Sequence, residues 1–255
     1  MVASILAALA AAGVVAIAAL VYRRRGLGTE DHEPSGATAG HAGAMLSALF
    51  LLSFAIAIVV PWTAADVARQ NTYTEGQAVV EAHWAAARLP APLGPQVQSE
   101  LREYVRFVLN RDWPLMVKGE LDPEGGARID RLRTQVAAFK TEDTDEQEAK
   151  GAVLEQVRGV AEARRVREAD AKARPPAALL AMTVLTGVVV TVFPFMAGAR
   201  PRGPAVVPLV VMAALLGIGV YMVFDIVSVF DGGLAVGPDA FTSALTELQR
   251  ISGGR

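Results

Sequence analysis

Residues 177–197 read AALLAMTVLTGVVVTVFPFMA, and residues 206–229 read VVPLVVMAALLGIGVYMVFDIVSV. A hydrocarbon core about 30 Å thick is crossed by roughly 20 apolar residues at about 1.5 Å of helical rise each. Both stretches meet that demand, and so do 2–22 and 44–62 earlier in the chain. None of the four contains Lys, Arg or Glu, and Asp225 is their one acid. The expected fold is all-α: four transmembrane helices in two pairs, with a charged region of over a hundred residues between the pairs.

The bulk composition agrees. Of 255 residues 53% are hydrophobic, more than a soluble domain of this size carries, and the excess sits in the four segments. The net charge of −2 supplies no basic field, so nucleic acid is not an expected partner and the lipid bilayer is. The chain has no Cys, which excludes disulfides, thiolate metal sites and cysteine nucleophiles. The bias toward Ala, Val, Arg and Gly suggests a GC-rich bacterial genome.

The first segment is expected to be a retained anchor rather than a signal peptide. A signal peptide carries its positive charge ahead of the apolar run, whereas Arg23, Arg24 and Arg25 follow this one. Short loops set orientation through their Lys and Arg content. The loop after segment one holds those arginines, and the loop 198–205 holds Arg200 and Arg202. Both loops then face the cytoplasm, which places the N-terminus, the 63–175 region and the C-terminal tail outside a bacterial cell membrane. The arginines near segment three, Arg164, Arg165 and Arg167 among them, weigh the other way, but long domains count little in this rule. The connector 26–43 reads as flexible. Its Asp31, His32 and Glu33 are sequence neighbours on a loop, which seldom converge on one metal ion.

Region by region, the expected layout is a transmembrane hairpin over 1–62 with the loop 23–43, a water-exposed helical bundle over 63–175, a second hairpin over 176–229, and a C-terminal tail over 230–255. Within the bundle, apolar residues recur at helical spacing. Segment two continues past the bilayer as a stalk through Val67, Tyr73, Val79 and Trp84. Pro90, Pro92 and Pro95 break it. Val97, Leu101, Tyr104, Val105 and Val108 form a stripe that Trp113-Pro114 interrupts. Residues 123–126 read as a turn, and Ile129, Leu132, Val136 and Phe139 form the next stripe. Thr144 and Gln147 have capping-box spacing before a last long helix, which Pro175-Pro176 ends at the membrane. Helices two and three are thus expected to extend into a projecting antiparallel bundle, with these stripes as its core.

Catalytic signatures are absent: the chain has no HExxH, GxSxG or P-loop, and no cofactor or metal is expected. His83, beside Trp84, reads as a packing or surface residue. Asp225 is an ionisable group within a span, which makes it a functional candidate. It lies near the interface, however, where solvation or a salt bridge to Arg164 or Arg167 is cheap. Pro194 is expected to kink segment three. Ala213 and Gly217 have the small-xxx-small spacing that permits close helix contact.

Several strings carry a family resemblance. Tyr73-x-x-Gly76-Gln77-Ala78 leads to His83-Trp84 and Leu89-Pro90, and Tyr104 follows. Asp112-Trp113-Pro114-x-Met116-x-x-Gly119 is the most specific string. Arg164-Arg165, then Gly232 and Pro238 with Ala240-Phe241, complete the set. With two apolar segments before and two after, the chain resembles the bestrophin-like bacterial membrane proteins, a domain family of unknown function. One position departs from the family pattern: Pro-Phe precedes the glycine there, and Val229-Phe230 stands here.

The resemblance implies no established activity. Bestrophins themselves are pentameric anion channels whose second helix lines the pore. By that likeness Phe50, Phe54 and Ile58, at i, i+4 and i+8 of segment two, are candidate pore-lining residues, since an apolar constriction gates by dewetting. The same spacing also suits lipid or helix contact. Bestrophins place the region between helices two and three in the cytosol, against the orientation that the short-loop arginines favour. Two readings follow. One is a non-enzymatic membrane scaffold or sensor whose helical domain meets a protein partner. The other is an oligomeric anion channel, self-associated through segments two and four.

Overall fold

The computed structural model describes residues 36–196, 206–233 and 235–253, with Leu6, Leu9, Ala10, Ala11, Gly13 and Ile17 before them. Among the described residues the regular elements are all helical. They are α1 (Gly36–Ala86), α2 (Leu93–Phe107), a π-helical turn (Val108–Asp112), α3 (Trp113–Met116), α4 (Pro123–Ala138), α5 (Thr144–Lys172), α6 (Ala177–Met196), α7 (Val206–Asp225) and α8 (Asp239–Gly253). Three helical stretches, His41–Ala86, Thr144–Met196 and Val206–Asp225, are long and apolar enough to cross a membrane. Most of segment 2–22, the loop arginines at 23–25, 200 and 202, and Asp31, His32 and Glu33 lie outside the described residues. The chain divides into two compact units: Met1–Trp62 with Arg174–Val227, and Thr63–Ala173 with Ser228–Arg255.

In the first unit, glycines admit aromatic rings. Phe50 and Phe54 stack with centroids 5.6 Å apart and planes 20° apart. A Cβ on Gly187 of α6 would meet the Phe50 ring at 3.3 Å, and one on Gly219 of α7 would meet Phe54 at 2.9 Å. Bare backbone at these points lets the rings sit against the neighbouring helices. Thr183 and Thr191 are buried in α6, and each hydroxyl donates to the carbonyl four residues back, 2.9 and 2.8 Å away. The Thr186 hydroxyl donates likewise, to the Met182 carbonyl at 2.8 Å, so the helix's own backbone satisfies its hydroxyls. Leu51, Leu52, Ile56, Leu185, Val211 and Leu215 remain exposed, an apolar surface more extensive than water-soluble monomers show.

In the second unit each long helix buries one stripe. On α1 the stripe is Ala68, Thr72, Glu75, Val79, Ala82 and Ala86; on α5 it is Ala149, Val153, Val157, Val160, Arg164 and Arg167. Both advance by three- and four-residue steps, the period of a helix packed along its length. α2 adds Val97, Leu101 and Tyr104, and α4 adds Ile129, Leu132 and Val136.

Several expectations are corrected. Residues 36–43, read as part of a flexible connector, belong to α1, because extending an existing helix adds one hydrogen bond per residue fixed. Residues 123–126 are the first turn of α4 rather than a separate turn. Pro123 opens that helix and the Asp122 side chain accepts from the Glu124 N–H at 3.0 Å, so the missing N–H of proline falls where a helix has no use for one. Trp113-Pro114 does not break the helical path. The Trp113 N–H reaches back to the Val108 carbonyl, and this widened turn accommodates the proline ring that would otherwise crowd the preceding carbonyls. The cap of α5 is Asp143, which accepts from the Asp145 and Glu146 N–H groups at 2.9 and 3.0 Å. Thr144 is the first helical residue instead. The expected tail 230–255 is not a separate appendage. Its helix α8 buries Phe241, Ala244, Leu248 and Ile251 in the core of the second unit, since that spacing gives α8 an apolar face that water would leave unsatisfied.

Candidate functional site

Within their stripes, α1, α2 with its π-helical turn, and α5 place charged side chains where apolar ones would be expected. Glu75 and Arg167 have fully buried side chains, as has Asp112, while that of Arg164 is 7% exposed. Removing an ion from water costs several kcal/mol, so such groups persist only when paired with good geometry. Arg167 grips Glu75 in a fork, Nε to Oε2 at 2.7 Å and Nη2 to Oε1 at 3.0 Å. Nη2 also reaches Asp112 Oδ2 at 3.3 Å, and Nη1 lies 3.0 Å from the Met116 sulfur. The Phe241 ring centroid lies 5.2 Å from the guanidinium carbon, a cation–π contact. Arg164 pairs with both Asp112 oxygens and donates to the Asp122 carbonyl at 2.7 Å. Asp112 Oδ1 also accepts the Asp122 N–H at 2.9 Å.

The cluster therefore balances two carboxylates with two guanidiniums. Tyr104 joins it as a neutral donor, its hydroxyl giving a 2.6 Å hydrogen bond to Glu75 Oε1. Burial first, and then the Glu75 charge, push the Tyr104 phenol far above its ordinary value. Burial disfavours the charge on Arg167, yet Glu75 and its hydrogen bonds outweigh it and raise the guanidinium. Arg164 is raised in the same sense, with its hydrogen bond to Asp112 overcoming burial. Chemically the arrangement is closed. Its acids are spent on its bases, and it clamps four chain segments together. Gly125 on α4 is part of the fit, because a Cβ there would sit within 2.4–2.5 Å of the Arg164 guanidinium.

The structure brings Tyr104, Met116 and Arg164 into this cluster. Trp113 packs edge-on beside it, 5.6 Å from Phe230 and 6.0 Å from Phe241. Pro114 lies in α3. Gly119 ends that helix at φ +77, with its N–H on the Met116 carbonyl and the Glu120 N–H on that of Leu115, a left-handed closure suited to glycine. Gly232 has φ +101, and the Val236 N–H bonds the Val229 carbonyl at 2.9 Å. The departing pair Val229-Phe230 is thus buried beside a glycine turn. Pro238 precedes α8 and accepts from the Thr242 N–H at 3.0 Å. Arg165 and Trp84 are exposed and away from the cluster, and His83 is buried. Asp225 accepts from Tyr221 at 3.3 Å. The arginines considered as its partners, Arg164 and Arg167, are held by Asp112 and Glu75. Phe50 is buried, Phe54 and Ile58 are half-buried, and the two rings are engaged with Gly187 and Gly219.

Sequence reasoning missed Glu75, the pairing role of Asp112, and Arg167 as its counterpart. A signal was present: Glu75 continues the Ala68, Thr72, Val79, Ala82 period, and Arg164 and Arg167 continue that of Val153, Val157, Val160. A charge at a core position of one stripe requires an opposite charge at a core position of another. Among the described residues, no group of three or more His, Asp or Glu is arranged to hold a metal ion.

No curated protein and no solved structure matches the chain. A family model described as a Bestrophin-like domain matches residues 8–241. That span includes every member of the buried cluster, and the chain belongs to the bestrophin-like family.

Proposed function

We propose that this chain is a non-enzymatic scaffold or sensor of a bacterial membrane. It crosses the bilayer four times, through segment 2–22 and the three long apolar helical stretches, and carries its second unit in water on the extracytoplasmic side. The observation that carries the reading is the closed cluster of Glu75, Asp112, Arg164 and Arg167, whose carboxylates and guanidiniums are spent on one another. A general base or nucleophile needs an unspent group within reach of substrate, and this cluster offers a rigid joint instead. The arginines at 23–25, 200 and 202 support the orientation. Lipid is the first partner, and a second copy or another protein bound by the helical unit is the next.

An oligomeric anion channel is the second reading, favoured by the family match over residues 8–241. The seating of Phe50 and Phe54 against glycines of the same chain speaks against those rings as its gate. Planar bilayers separate the two readings. The scaffold gives no conductance from folded, reconstituted protein. Chloride currents that change on Phe54→Ala would overturn it. A reporter fused at Arg255 and active only in the cytosol would overturn the orientation.

A further inference from the structure

Beside the closed cluster, a cleft of about 310 Å³ opens between α2, α4 and α5. Its floor is apolar and buried, formed by Leu101, Ile129, Leu132, Val157 and Val160. Its two sides differ in charge. α2 contributes Glu100 and Glu103, whereas α4 contributes Arg128 and Arg131. Glu103 is exposed, and among the described residues no Lys or Arg forms an ion pair with it. Glu100 accepts from the Gln96 amide at 3.4 Å. On the basic side, Arg128 and Arg131 share one carboxylate, Glu124, at 3.3 and 2.6 Å, so one positive charge is in excess. Arg128 is further held over the Phe107 ring, 4.9 Å from its centroid.

Small-molecule sites of roughly 300–1,000 Å³ combine an apolar lining with a few convergent polar groups. Here the polar groups are of opposite sign and stand on opposite walls. A purely cationic or purely anionic ligand would satisfy one wall and leave the other facing its own charge. We propose that this cleft binds a small zwitterion with an apolar body. Its ammonium lies toward Glu100 and Glu103, its carboxylate toward Arg128 and Arg131, and its hydrocarbon on the buried floor. A free α-amino acid with a branched aliphatic side chain is the simplest molecule of that class. Tyr104 also lines the cleft, and its hydroxyl is bonded to Glu75, so an occupied cleft touches the charged joint directly.

The test is calorimetric titration of the full chain in detergent micelles with L-leucine, with isoamylamine, which lacks the carboxylate, and with 4-methylpentanoate, which lacks the ammonium. L-Leucine is expected to bind saturably at one site per chain, and each analogue about tenfold more weakly or worse. Glu103→Gln and Arg131→Gln alter exposed side chains and leave the thermal melt unchanged, yet each weakens L-leucine about fivefold or more. No saturable binding up to about 10 mM, an analogue as tight as leucine, or variants that bind like the parent would each overturn the proposal. Conductance plays no part in this test, so a chloride current would overturn the scaffold reading and leave the binding result standing.

Discussion

Replacing Glu75 by Gln removes one charge from the buried cluster and keeps the side chain's size. The parent holds Arg167 through two charge-assisted hydrogen bonds, at 2.7 and 3.0 Å, with both side chains fully out of water. After the change Asp112 alone faces two guanidiniums, and it lies 3.3 Å from that of Arg167. Breaking a buried pair by removing one partner costs about 3–5 kcal/mol, because the other charge stays buried. The Gln carbonyl still accepts one hydrogen bond, so the low end, about 3 kcal/mol, is expected. In a unit of this size that corresponds to a fall in Tm of roughly 6–20 °C. Trp113 reports on it, packed between Phe230 and Phe241. Trp62 and Trp84 are exposed and would be changed to Phe to clear the signal. Urea or thermal unfolding of the full chain in detergent is then followed by Trp113 fluorescence. Adding Arg167→Met to Glu75→Gln restores neutrality, leaving Arg164 with Asp112. The double variant should recover about 1 kcal/mol or more relative to the single one. A Glu75→Gln protein within about 1 kcal/mol of its parent, or a double variant less stable than the single, would refute the reasoning.

Three further outcomes are expected. Gly125→Ala forces a methyl within 2.5 Å of the Arg164 guanidinium and should cost about 1–3 kcal/mol; Gly126→Ala, with nothing within 4 Å, should stabilise by about 0.5–1 kcal/mol, and denaturant midpoints decide both. Gly119→Ala places a side chain at φ +77 and brings its Cβ to 3.1 Å from the Ala171 carbonyl oxygen; a loss of about 1–3 kcal/mol is expected by the same measurement. Tyr104 has its phenol raised in the folded state, from an unfolded value of 10.0, so its contribution is fully present below that pH. It falls as pH rises above it, by up to about 1.4 kcal/mol per pH unit. Tyr104→Phe should be less stable near neutral pH but show a shallower alkaline decline, read from unfolding curves at stepped pH.

Much of the fold was legible in the residue pattern because helices and lipid both impose local rules. The runs 177–197 and 206–229, with Asp225 their one charge, had no other economical reading, and the stripes of α2 and α4 were visible as a period. Tyr104, Met116 and Arg164 were singled out through the motifs they belong to. What misled was local too. Trp113-Pro114 looked like a break, since nothing in the sequence announces that the turn before it widens. The C-terminal 230–255 looked like a tail because its apolar face has meaning only against a surface to cover.

By itself, then, the amino-acid order determined that the chain is helical, that long parts of it shun water, and which face of α2 and of α4 turns inward. Those are properties of a residue and its neighbours within a few turns. Tertiary structure alone decided that Glu75 meets Arg167 across 92 positions and that Asp112 meets Arg164 across 52. It also decided that Gly187 and Gly219 receive the rings of Phe50 and Phe54. A periodic stripe reports that a face is buried but not which distant face covers it, and the partner of a buried charge or a bare glycine is chosen only when those faces meet.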